Sequence, residues 1–509
     1  MASEMLRKAH RYEEMHRSRI REELPVFHVT GGVGWINDPN GFAPYKGEYH
    51  LFFQYYPYDV QWGPMHWGHV KTRDFIRWEF LPCALAPDME YDKDGCFSGG
   101  AVELPDGRHL LMYTGVRKVE TEEGKVEDRQ TQCIAIGNGV DYEKSERNPV
   151  ITGADLPEGG SIIDFRDPKI WREGDTFFAV IVNRGADGSG TVLLYESSDG
   201  THWRLNGNIC QCNNRYGRMW ECPDIFSLDG KDVLIHSAQD MRAEGLEYHA
   251  GNGKVYHIGK LDRENWKFRD EVIRAMEYGL DFYAPQTMET EDGRRIMIGW
   301  MQCWESSRQL PDDLHFMGQM TLPRELHIKN NRLCQWPVRE LENYRTGKVS
   351  YHNVQVQGET TLPGVCGRVL DLSLRIRPAE ESGYGRFDLE FAKDENNRCV
   401  ISLFPETGTI RMDRTYSGFR HDIIITREFY ADFSGGEIRL RLILDRYSAE
   451  LFVGEGEQAS SMVIYTPESA DGICMKSDRP VLVDMEKYDI RISSQEPDID
   501  NNEGGRHHE

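Results

Sequence analysis

A turn followed by a short apolar run recurs five times in the first 300 residues. Lys46-Gly47 precedes Tyr49-His50-Leu51-Phe52-Phe53, and Asp106-Gly107 precedes Leu110-Leu111-Met112-Tyr113. Glu173-Gly174, Asp229-Gly230 and Asp292-Gly293 stand likewise before Phe177-Phe178-Ala179-Val180, Val233-Leu234-Ile235-His236 and Ile296-Met297-Ile298-Gly299. The glycines lie roughly sixty residues apart, too far for one hairpin and suited to a four-stranded unit with generous loops. A second pattern, Asp-x-x-x-Trp, falls at Asp74–Trp78, Asp199–Trp203 and Asp262–Trp266 and reads as a packing turn with a structural tryptophan. Five such units predict an all-β, five-bladed propeller.

Past Leu322-Pro323-Arg324-Glu325-Leu326 the repeat stops. Gln335 to Leu341 reads as a short connecting helix, which puts a boundary near residue 345. Alternation then takes over, as in Arg439-Leu440-Arg441-Leu442, with similar runs at Arg368–Ile376, Phe387–Phe391, Val400–Phe404 and Glu450–Val453. Half-buried antiparallel strands give this pattern, so a C-terminal β-sandwich is expected over 346–495. The chain is thus divided into a charged helical extension (1–24), a propeller (25–345), the sandwich and a disordered tail (496–509).

At 509 residues the chain exceeds what one hydrophobic core usually serves. Its net charge of −24 and lack of a basic cluster argue against nucleic acid and anionic membranes as partners. Homo-oligomerisation is left open. Eleven scattered cysteines suit reduced thiols, and with no apolar leader and no Asn-x-Ser/Thr sequon they point to the cytoplasm. Cys210-Gln211-Cys212 lacks the second pair or histidines that a metal site needs, so no metal and no cofactor are expected.

Three acidic spots stand out among the predicted strands, each beside a proline and an aromatic residue: Trp35-Ile36-Asn37-Asp38-Pro39-Asn40-Gly41, Asp164-Phe165-Arg166-Asp167-Pro168 and Trp220-Glu221-Cys222-Pro223-Asp224. Cleaving a glycosidic bond takes two carboxyl groups, one to attack or activate water and one to protonate the leaving oxygen. Asp38 and Glu221 are the candidate pair. In this order the three motifs resemble the signature of glycoside hydrolase family 32, the β-fructofuranosidases, across residues 25 to 490.

The resemblance implies the same propeller and sandwich, a retaining mechanism through a covalent fructosyl-enzyme, and sucrose or short fructo-oligosaccharides as substrates. It makes Asp38 the nucleophile, Glu221 the general acid/base and Asp167 the transition-state stabiliser. Asn37, Gln54, Trp62, Phe97, Ser98, Arg166, Tyr283 and Trp300 fall at substrate-binding positions. Gln302 and Phe316 depart from the residues common in relatives and bear on leaving-group preference. Sucrose-6-phosphate hydrolase, fructosyl transfer and an inactive sugar-binding propeller are the rival readings.

Overall fold

The computed structural model describes residues 2–307, 311, 314–418 and 423–492, so the expected C-terminal tail lies outside the described residues. The first 337 residues hold five antiparallel four-stranded units, and their innermost strands are Gly34–Tyr45, Gly95–Glu103, Phe165–Glu173, Met219–Leu228 and Tyr283–Glu289. These five touch in chain order, and the fifth returns to the first, closing a five-bladed propeller. Closure is secured by Phe316–Met317, which pairs in parallel with Gly34 and Trp35 of the first blade.

The five predicted turns are the hairpins joining first and second strands. Gly47, Gly107, Gly174, Gly230 and Gly293 all have φ between +58° and +81°, where a Cβ is strained. The Asp-x-x-x-Trp segments join third and fourth strands. Asp74, Asp199 and Asp262 each fold a side-chain oxygen back onto two following backbone N–H groups, for example those of Ile76 and Arg77 at 3.1 and 2.8 Å.

Gln335 to Leu341 is not one helix. Gln335-Trp336-Pro337 ends the last strand of the fifth blade, paired to Arg324–Leu326, and only Arg339–Tyr344 coils, as a 3-10 turn. The short alternating segment satisfies its backbone across the ladder, which outweighs its local helical character.

The C-terminal part is a β-sandwich whose two layers are one continuous hydrogen-bonded sheet. The long strands Arg345–Thr360 and Gly472–Ile490 pair along their length and bend from one layer into the other. The first half of Gly472–Ile490 pairs with Phe387–Lys393 and the second half with Leu370–Pro378. Leu372, Leu374, Leu389, Ile401, Leu442 and Val483 fill the space between the layers.

Ser3 caps an N-terminal helix, Glu4–His16, by accepting from Leu6 N. Downstream, the backbone N–H groups of Val26, Phe27 and His28 all point at Asp445 of the sandwich. His28 lies between two buried carboxylates, Nδ1 2.8 Å from Asp445 and Nε2 2.8 Å from Glu450. Among the described residues no helix is long and apolar enough to cross a membrane.

Burial alone would push the His28 imidazole down, but its hydrogen bonds to Asp445 and Glu450 outweigh this and raise it to about 9. A raised histidine stabilises the fold fully below its unfolded value near 6.5 and loses that contribution as pH climbs through 9. The difference corresponds to about 3 kcal/mol. Tm is therefore expected to fall between pH 6.5 and about 9, and His28→Gln, less stable at neutral pH, is expected to lack that alkaline decline in thermal melts.

Candidate active site

Each innermost strand breaks register near its N-terminal end, at the residues singled out by sequence. Pairing slips between Ile36 and Pro39, between Phe97 and Gly99, between Glu221 and Asp224, and between Tyr283 and Gln286. In the third blade the slip lies between Val180 and Val182, opposite Asp167 and Pro168. A bulge turns an extra side chain off the ladder, here toward the propeller axis. Asp167, Cys222 and Ala284 take left-handed backbone angles there, with φ of +62°, +49° and +50°. Such angles are costly for residues with a Cβ and persist where surrounding structure enforces them.

Asp38, Asp167 and Glu221 meet at this end of the channel. Asp38 is half-buried, accepting from Asn37 Nδ2 at 3.0 Å on one oxygen and from Ser98 Oγ at 2.7 Å on the other. Asn37 is itself held by the Trp35 indole at 2.7 Å. Glu221 accepts from Tyr283 OH at 2.6 Å and from Arg166 Nη2 at 3.0 Å. Asp167 accepts from Cys222 N at 3.0 Å, while its own N–H donates to Thr114 Oγ1.

One guanidinium serves this crowd of carboxylates. Arg166 pairs with Asp164 at 2.9 Å and Glu221 at 3.0 Å, and stands 3.9 Å from Asp167. Burial pushes Asp167 up to about 7; Arg166 opposes this, while the charges of Glu221 and Asp38 add to it. Burial and the Glu221 charge also raise Asp38, against the hydrogen bonds from Ser98, Asn37 and Cys222. Cys222 lies between two of the carboxylates, its Sγ 3.5 Å from Asp38 and 3.7 Å from Asp167. Burial and these negative neighbours hold its thiol far above the usual range, so it acts as an S–H donor and not as a nucleophile.

The remaining sequence candidates divide by depth. Trp62 is 45% exposed and meets Phe97 edge to face at 6.1 Å, forming a wall at the opening. Gln54 is buried and spends its amide on the Cys96 carbonyl at 2.9 Å, which joins the first two blades. Trp300 is also fully buried, packed against Trp35 and Trp304 at 6.0 and 5.0 Å. Asn37, Ser98 and Tyr283, which touch the carboxylates directly, are buried to a similar degree. The Thr114–Gln132 pair that seats the Asp167 backbone was missed, having no signal beyond polar residues within strands. Among the described residues no group of three or more His, Cys, Asp or Glu is placed to hold a metal ion.

Comparison with known proteins gives the family and the fold. The model of the glycosyl hydrolases family 32 N-terminal domain matches residues 28–337, and that of the family's C-terminal domain matches 340–489. A sucrose-6-phosphate hydrolase from Zymomonas mobilis is 36% identical over 448 residues, covering 86% of this chain and 85% of its own. A raffinose invertase from Escherichia coli is 35% identical over 472 residues, covering 89% and 92%. The structure of a Bombyx mori GH32 β-fructofuranosidase superposes with a TM-score of 0.81 at 33% identity, covering 95% of this chain and 98% of that one. Matched by both domain models over nearly all its described length, the chain belongs to glycoside hydrolase family 32.

Proposed function

We propose that this glycoside hydrolase is a retaining β-fructofuranosidase that releases terminal fructose from sucrose and short fructo-oligosaccharides. One observation carries the reading: Asp38 and Glu221, from the first and fourth blades, come to one end of the channel with Asp167, each held by its own set of donors. Asp38 is aimed by the neutral groups of Asn37, Ser98 and Cys222, and Glu221 by Arg166 and Tyr283.

In the proposed reaction an Asp38 oxygen attacks the anomeric carbon of fructose while Glu221 gives its proton to the departing glycosidic oxygen. The C–O bond to the leaving sugar breaks as the ester to Asp38 forms. Glu221, now a carboxylate, takes a proton from water, whose oxygen displaces Asp38 and frees fructose with retained configuration. Asp167, seated by Cys222 N, binds fructosyl hydroxyls and offsets the positive charge that develops on the ring. Trp62 and Phe97 supply apolar surface for the sugar at the opening.

The relatives named sucrose-6-phosphate hydrolase favour a second reading, in which the leaving glucose carries a phosphate. Glucose and fructose release from sucrose, against glucose 6-phosphate and fructose release from sucrose 6-phosphate, decides between them. A kcat/KM more than tenfold higher for the phosphate ester would move the assignment, and no hydrolysis of either would overturn both. Eleven free thiols suit a reducing compartment, and we place the enzyme in the cytoplasm.

Ser98 offers a finer check. Its hydroxyl favours the charged form of Asp38, so Ser98→Ala is expected to raise the Asp38 titration further. The acidic limb of the kcat/KM profile then moves to higher pH. An unmoved limb would show that Asp38 ionisation does not govern it.

A further inference from the structure

The N-terminal helix Glu4–His16 turns two sides toward the first blade. Leu6, Ala9 and Glu13 are buried on one of them. From this side Glu13 Oε2 accepts from Cys83 N at 3.0 Å, and His10 Nε2 donates to Cys83 O at 2.8 Å. Arg17, just past the helix, pairs with Glu13 at 2.7 Å and donates to Leu81 O at 3.2 Å and Gly31 O at 3.3 Å. The outermost strand of the blade, Glu79–Leu85, would otherwise offer an open edge, and these contacts seat the helix over it.

Lys8 and Tyr12, one turn apart on the other side, meet the ring of Tyr58. Tyr12 stands edge-on to it with centroids 5.2 Å apart, and Lys8 Nζ lies 4.6 Å over its centre. Tyr56 and His66 are edge-on to the same ring at 5.5 and 5.7 Å. The Tyr58 hydroxyl is buried without a hydrogen-bond partner, so ring contacts hold this side chain. Tyr58 belongs to the loop between Glu48–Tyr56 and His66–Thr72, the second and third strands of the blade. In that loop Gln61 N donates to Asp59 Oδ1 at 3.1 Å, and Val60 packs on the apolar cluster of Trp35, Met65 and Trp300. Trp62 then stands exposed at the opening, against Phe97. Gly63 lies on the Tyr56 ring, where a Cβ would come within 2.7 Å of it.

We infer that the N-terminal helix is a positioning element of the sugar site: Lys8 and Tyr12 hold Tyr58, and Tyr58 holds the loop that presents Trp62. The inference rests on the proposed reaction, in which Trp62 gives the sugar an apolar surface. A loop that is in place for only a fraction of the time weakens binding by that fraction. The helix keeps this fraction high through one aromatic pair and one cation over a ring. Neither Lys8 nor Tyr12 contacts the three carboxylates, so their effect falls on sugar binding and not on bond breaking.

Tyr12→Ala in the full chain is expected to raise KM for sucrose about fivefold with kcat within about twofold of the parent's, and Tyr12→Phe, which keeps the ring, to restore the parent's KM. Lys8→Met is expected to raise KM about threefold, and, Lys8 being exposed, it covers the case in which Tyr12→Ala misfolds. Chymotrypsin reads the loop without turnover: nicking after Tyr58 or Trp62 is expected to quicken about fivefold in Tyr12→Ala and to stay at the parent's rate in Tyr12→Phe. An unchanged KM or unchanged nicking in the folded variants overturns the inference, as does a kcat that falls as far as kcat/KM. A parent that does not hydrolyse sucrose fails the proposed reaction, and the nicking rates then decide by themselves whether the helix holds the loop.

Discussion

With Asp38 replaced by alanine, hydrolysis of sucrose is expected to fall by at least about four orders of magnitude, because no other group is aimed at the anomeric carbon to form the ester. Glu221→Ala is expected to lose about 10²- to 10⁴-fold, the usual contribution of a positioned proton donor. The two variants should differ in kind as well as degree. An aryl fructoside, whose leaving group departs without protonation, restores ester formation in Glu221→Ala but does nothing for Asp38→Ala. Azide then accelerates the second step in Glu221→Ala, since a small anion attacks the ester without a base. Removing Asp38 also relieves its repulsion of Asp167 and Glu221, so its Tm is expected to match or exceed the parent's. A Tm drop of many degrees would mean that the lost activity reported unfolding, and rescue of Asp38→Ala by the aryl substrate would remove it from the nucleophile's role.

The second large effect is expected at the seam between propeller and sandwich. Glu450 is fully buried, with one oxygen on His28 Nε2 and Leu322 N, each at 2.8 Å, and the other on Arg324 Nη2 at 2.5 Å. Arg324 is buried too and also reaches Gln335 Oε1 and Ser461 Oγ. Truncation to Glu450→Ala leaves two cationic groups in the interior without their shared anion, at a cost of about 3–5 kcal/mol. Denaturant titration of that variant is expected to show a lower midpoint, with the sandwich and propeller unfolding in separate steps. Pairing it with Arg324→Met should recover part of the loss, because that double change removes both charges. A single Glu450→Ala transition with an unchanged midpoint would show that the seam carries no such load.

Much of this architecture was legible because it rests on local rules. The five hairpin glycines announce themselves by a backbone angle that other residues resist, and the Asp-x-x-x-Trp turns by a side chain that closes on its own backbone. The acidic motifs were legible as motifs. What the sequence hid was depth and register: nothing in Gly299-Trp300 or Phe53-Gln54 states that both side chains are buried. Which pairs slip at Asp38, Ser98 and Glu221 is set between neighbouring strands, and no single segment states it. Pro480 looks like a strand end, yet Gly472–Ile490 runs on, because the proline falls where that strand exchanges one partner for another and needs no ladder bond. The prolines beside the acids recur in the fifth blade: Pro39 closes its register slip, and Pro168, Pro223 and Pro285 lie inside theirs, where a bulge needs no ladder bond from them.

His28 meets its two carboxylates across 417 and 422 residues of sequence. A ribosome adding about 5–20 residues per second needs roughly 20 to 80 seconds to cover that distance. Throughout that interval His28 has been made, and the acids that will hold it do not yet exist. The segment around His28 is therefore among the last to settle, fixed only once the sandwich has been made.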